Sequence, residues 1–148
     1  MKKSKRFKPV VRVAEAREKQ AASDLGEAQA HLQAQVARLE ELRNYQLDYQ
    51  QRLTATASQG IQAARLQDFH RFLENLKQAI RQQETLVQIA TRMVEQKKQL
   101  WFDKRGKLKS YDNVMDRYLH EENLEQDKRE QKETDEHASR TDRKTREA

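Results

Sequence analysis

Cysteine is absent from the chain, which removes disulfide frameworks, thiolate zinc sites and thiol catalysis together and fits a reducing compartment. Glycine is nearly as scarce: Gly26, Gly60 and Gly106 stand far apart, and Gly106-Lys107 is followed by Leu108. A phosphate-binding loop needs closely spaced glycines and then Lys with Ser or Thr, so the chain does not bind ATP by that device. Long apolar runs are missing as well. The basic start, Met1 to Lys8, leads through Pro9 into Val10-Val11-Arg12 and then Ala, Glu and Arg, without the apolar stretch of a secretory signal. Nothing approaches the ~18 apolar residues of a membrane span, so a soluble cytoplasmic protein is expected. His31, His70, His120 and His137 are isolated from one another, which leaves no metal site. Glu121, Glu122 and Glu125 form a carboxylate run, but a catalytic pair needs a cleft that desolvates one member. The expectation is a protein that is not an enzyme and carries no cofactor.

What the chain has in abundance is charge. Of 148 residues, 36% are charged and only 35% are hydrophobic, the profile of long solvated helices rather than a thick core. From Leu66 to Met115 every seventh residue is apolar: Leu66, Leu73, Ile80, Val87, Val94, Trp101, Leu108, Met115. A companion series offset by three (Phe69, Leu76, Gln83, Ala90, Lys97, Lys104, Tyr111, Tyr118) is apolar at its ends and polar in the middle. Together they are the a and d positions of a coiled-coil seam. A second pair of series precedes it, with Val11, Glu18, Leu25, Leu32, Leu39, Gln46 and Leu53 offset from Phe7, Ala14, Ala21, Ala28, Gln35, Leu42 and Tyr49. Gly26 is its one weak point, at ~1 kcal/mol against Ala.

The two patterns are separated by Thr54-Ala55-Thr56-Ala57-Ser58-Gln59-Gly60-Ile61, where poor helix formers and a glycine mark the only reversal. The predicted fold is therefore all-α, a long two-helix antiparallel coiled-coil hairpin with its hinge near 54–65. Residues whose numbers sum to about 122 should meet, in helices about 70 to 80 Å long. At that register Trp101 faces Ala21 and Leu108 faces Ala14, so bulky residues lie against small ones. Three segments result: a basic N-terminal segment over 1–8, with Pro9 as first helical residue; the hairpin over 9–118; and a charged tail over 119–148. From Glu121 to Glu147, ten acidic and seven basic residues surround only one large apolar residue, Leu124. Residues 121–132 are expected to extend the helix and the last dozen to be disordered.

Two surfaces exceed what the seam needs. Near the hinge, Tyr45 and Phe72 at g positions flank Leu42, Tyr49, Leu76 and Ala79; either the core broadens there to close the loop or the patch docks a partner. At the open end Lys2, Lys3, Lys5, Arg6, Lys8 and Arg12 approach Lys104, Arg105, Lys107 and Lys109, mixed with Trp101, Phe102 and Tyr111. That is either a solvated basic face or a site for an anionic partner, consistent with a net charge of +6.

The order of Phe7 among basic residues, Val10-Val11, Leu39 and Leu42 leading into Tyr45-Gln46-x-x-Tyr49, Gly60-Ile61, Phe69, Phe72, Leu73, Leu76 and Ala79-Ile80, then Trp101 and Lys107-Leu108-Lys109, resembles the flagellar export protein FliJ family over residues 5–118. The resemblance implies a component of the flagellar type III protein export apparatus, similar in fold to the central stalk of rotary ATPases. It implies association with the hexameric export ATPase FliI, the export gate protein FlhA and export chaperones, and a location at the cytoplasmic face of the inner membrane at the flagellar base, peripheral and through partners. Carried onto this chain, Lys3, Lys5, Arg6, Lys8, Arg12, Lys104, Arg105, Lys107 and Lys109 face the ATPase, and Leu42, Tyr45, Tyr49, Phe72, Leu76 and Ala79 meet the gate. The patch is not extended to Arg38 or Gln83. The alternative is a basic coiled coil that binds nucleic acid or anionic surfaces; no base-reading module is present, so no specific nucleic acid is expected.

Overall fold

The computed structural model describes residues 1–147. Two helices account for nearly all of them: α1, Lys3–Ser58, and α2, Ala63–Glu147. They pack antiparallel, as the heptad pattern predicts, and form two compact units. One holds Gln20–Phe102 with the reversal; the other holds Met1–Lys19 with α2 from Asp103 onward. Both helices run unbroken from one unit into the other.

Every a and d position read from the sequence is buried or half-buried. In the unit that contains the turn, Leu39, Leu76 and Ile80 are buried together, with Leu42, Phe72 and Val87 packed against them. Each such side chain gains about 1.5–3 kcal/mol by leaving water. Where the partner helix carries a larger residue the seam uses alanine: Ala21 and Ala28 are buried and Ala90 is only 2% exposed. The register is the expected one. Tyr49 lies against Phe69 and Phe72, Gln35 against Gln83, and Arg43 against Glu84; in the other unit Phe7 lies against Tyr111 and Tyr118, and Ser4 against Glu122. All fall within about five residues of the anticipated pairing, little more than one helical turn.

Of the polar seam positions, Gln83 is the buried one. Gln83, 7% exposed, donates its Nε2 to the Gln35 carbonyl oxygen at 2.9 Å and to Gln35 Oε1 at 2.8 Å. Its amide is satisfied inside the seam, so Gln83 offers nothing to a partner.

The reversal is tighter than the sequence break. Thr54 to Ser58 stay helical, because the Thr54 hydroxyl donates to the Gln50 carbonyl at 3.0 Å and the Ser58 hydroxyl to that of Ala55 at 2.8 Å. The chain turns at Gly60, whose φ of 89° lies in the left-handed region that a side chain disfavours.

The unit that contains the N-terminus departs from expectation. Pro9 does not start the helix; α1 begins at Lys3 and Pro9 lies within it. Proline lacks the N–H that would bond four residues back, yet tertiary contacts outweigh that loss. Phe7 meets Tyr111 and Tyr118 edge-on at centroid distances of 5.9 and 5.6 Å, and Lys3 Nζ stands 5.8 Å from the Tyr118 ring centre. Ser4, one heptad before Val11, donates its backbone N–H to Glu122 Oε1 at 3.1 Å and its hydroxyl to Oε2 at 2.7 Å. Glu122 is one heptad beyond Met115, so this pair is an outermost layer of the seam. α1 has no acid in its own first turn, and Glu122 supplies from α2 the carboxylate that helix N-termini favour.

The charged tail is likewise helical, through Glu147, although every residue from Asn123 to Glu147 is exposed. Local pairs such as Arg129 with Glu125, 3.1 Å apart, lie along it. The final residue of the expected disordered segment, Ala148, lies outside the described residues.

Candidate functional site

The two surfaces singled out from sequence fall in different units. In the unit with the turn, the heptad places Tyr45 and Phe72 on the same flank of the seam. Tyr45, 53% exposed, touches Phe72 edge-on at 5.9 Å, and Tyr49 lies 4.2 Å from Phe72 and 5.1 Å from Phe69 between ring centres. Leu42, Tyr45 and Leu76 share an open groove of about 330 Å³ with Arg38 and Glu41. Arg38 and Glu41 bond each other at 3.3 Å on its rim. Leu76 is buried, and Leu42, Tyr49, Phe72 and Ala79 are half-buried, which leaves Tyr45 as the residue most available for contact.

Sequence reasoning stopped the g row of α2 at Ala79. Leu86, Met93 and Leu100 continue it, each exposed and each one residue before a seam position, with Ile89 beside them. The signal was present as a heptad series parallel to the seam. The opposite flank is polar and carries the Arg43–Glu84 pair at 3.2 Å, so this unit has one apolar and one polar side.

In the other unit most of the expected basic residues line one of two grooves, and Lys3 lines a third with Lys2, Tyr118 and Glu122. Lys5, Lys8 and Arg12 line one with Val11, Met115 and Leu119. Lys104 and Lys107 line another, of about 350 Å³, with Pro9, Val10, Val13, Ala14, Arg17 and Tyr111. Lys3 stands over Tyr118; Arg6, Arg105 and Lys109 are exposed and line none of these grooves. Arg17 was not anticipated, although it lies one heptad after Val10. Trp101 and Phe102, expected to mix with these cations, belong to the unit with the turn, where their rings stack at 5.2 Å.

The Glu122 carboxyl has a lowered pKa. The Ser4 hydroxyl and then the Ser4 amide hold it below the usual carboxylate value; desolvation opposes them and the charge of Lys2 reinforces them. Its partners are structural, so it is not a catalytic acid. Among the described residues no group of His, Asp and Glu is arranged to hold a metal ion, and no helix is long and apolar enough to cross a membrane.

Antiparallel heptad-packed helices whose surplus apolar and cationic side chains face outward define a two-helix coiled-coil protein. The family model described as "Flagellar FliJ protein" matches residues 2–147, and the chain belongs to that family and so to the components of the flagellar export apparatus. It is similar to a Flagellar FliJ protein of Salmonella typhi, 28% identical over 120 residues that cover 81% of this chain and 82% of that protein. No solved structure matches.

Proposed function

We propose that the chain acts as the stalk of the export ATPase ring, couples the hexameric ATPase FliI to the export gate protein FlhA, and escorts export chaperones. In this reading the chain is not an enzyme, ATP chemistry belongs to the ring, and its partners hold it at the cytoplasmic face of the inner membrane. Asymmetric contacts from the basic residues bias the conformations of the ring, and the paired helices carry that bias to the gate.

The observation that supports this best is the aromatic groove. Tyr45 contributes little to the seam, yet Phe72, itself packed on Tyr49, holds its ring over an apolar floor formed by Leu42 and Leu76. A rigid aromatic beside a half-open groove is the usual anchor of a protein interface. Tyr45→Ala, alone and with Phe72→Ala, should leave helicity intact, reduce binding to the gate protein at least about tenfold and abolish swimming. The single variant guards against loss of packing at Phe72. Normal swimming by the folded double variant would remove the patch from the mechanism.

A further inference from the structure

We propose that the groove over Val10, Val13 and Tyr111 receives an acidic segment of the ring ATPase that carries a large apolar side chain, so that this contact is anchored by apolar burial as well as by charge. The inference rests on reading the basic end as the ATPase-facing surface.

Val10 and Val13 are surplus to the fold. The seam is served by their neighbours Val11 and Ala14, both buried, while Val10 is 40% and Val13 49% exposed. With the half-buried ring of Tyr111 they floor a groove of about 350 Å³, room for one or two large side chains. Its charged lining is wholly cationic: Arg17, Lys104 and Lys107. Lys107 pairs with Asp103 at 3.5 Å, an exposed pair one turn apart. Such exposed pairs are weak and exchange readily for a better partner.

Charge complementarity selects the occupant. A phosphate backbone would meet the cations but leave the valine floor wet. A second copy would bring the same end, whose first twelve residues hold six cations and no acid, or the acidic run over 121–127, whose Glu122 is already bonded to Ser4 and whose Glu125 is paired with Arg129. An acidic segment with an apolar side chain satisfies both parts of the groove in the helix-in-groove manner.

The test measures binding of the full chain to the purified hexameric export ATPase at about 0.1 M and about 0.5 M salt. Val13→Glu adds an acid at an exposed helical site, so helicity should be unchanged. It should weaken binding at least about tenfold at both salt concentrations. Lys5→Gln with Lys8→Gln and Arg12→Gln, outside the groove, should weaken binding mainly at low salt. If Val13→Glu binds as the parent does while the triple variant weakens, the groove assignment is wrong and the basic-end reading stands. If neither weakens, both fail. If Val13→Glu instead changes the sedimentation of the chain alone, the occupant is a second copy and the proposal is overturned.

Discussion

Glu122 joins electrostatics to the closure of a helix end. Its carboxylate accepts two hydrogen bonds from Ser4 at the otherwise uncapped start of α1. The folded pKa is lowered, so the stabilisation is present above the unfolded carboxylate value and is lost as pH falls through the folded one. Thermal unfolding of the parent and of Glu122→Gln, followed from neutral pH downward, should differ most at neutrality. The two curves should converge as pH falls through the lowered carboxyl range and the parent carboxyl becomes protonated. A difference that persists into strong acid would show that charge is not what Glu122 contributes. Neither this bond nor the helical start at Lys3 was legible in the sequence. The local rule places proline at a helix start, and the contacts that override it come from residues 104 to 118 positions away.

At the scale of the helix pair, the Gln35–Gln83 layer interrupts an otherwise apolar stretch of seam. A buried polar pair costs stability but penalises any slip that would separate its two amides. Replacing both by leucine should stabilise the chain by about 1–3 kcal/mol and weaken the definition of register. The native absence of cysteine makes the second effect measurable. Engineered cysteine pairs across the seam should cross-link in one register in the parent and in several in the double-leucine variant. The seam itself was readable residue by residue, since a heptad asks only for apolar side chains at fixed intervals. So was the reversal, because Gly60 alone combines a pattern break with tolerance of positive φ. The row formed by Leu86, Met93 and Leu100 follows the same period, and it escaped notice because the seam beside it already accounted for the apolar content.

Across the whole molecule, packing and helicity do not coincide. α2 is helical to Glu147, but no side chain from Asn123 to Glu147 is covered. A helix without a packed face holds its hydrogen bonds only marginally, because propagation along a solvated charged stretch is nearly neutral in free energy. Amide hydrogen exchange should therefore be fast from Asn123 to Glu147 and slowest around Leu39, Leu76 and Ile80, whose opening requires the seam to part. Protection of the tail equal to that of the core would contradict this. The sequence of the tail carries two separate signals: its composition forecasts the absence of a core, whereas helix formation depends on local propensity and charge pairing. The candidate surfaces were legible in outline through their aromatic and basic content. Their division into grooves was not, because it depends on which flank of the seam each residue occupies.

The Ser4–Glu122 bond also has a consequence for the order in which the protein is made. The amide that it closes is synthesised first, and the carboxylate that closes it emerges 118 residues later. Until then the basic first turns of α1 have neither their cap nor the rings of Tyr111 and Tyr118. The surface that the basic-end reading assigns to the ATPase is thus completed only after Glu122 has been made, and a chain that stops short of it cannot present that surface.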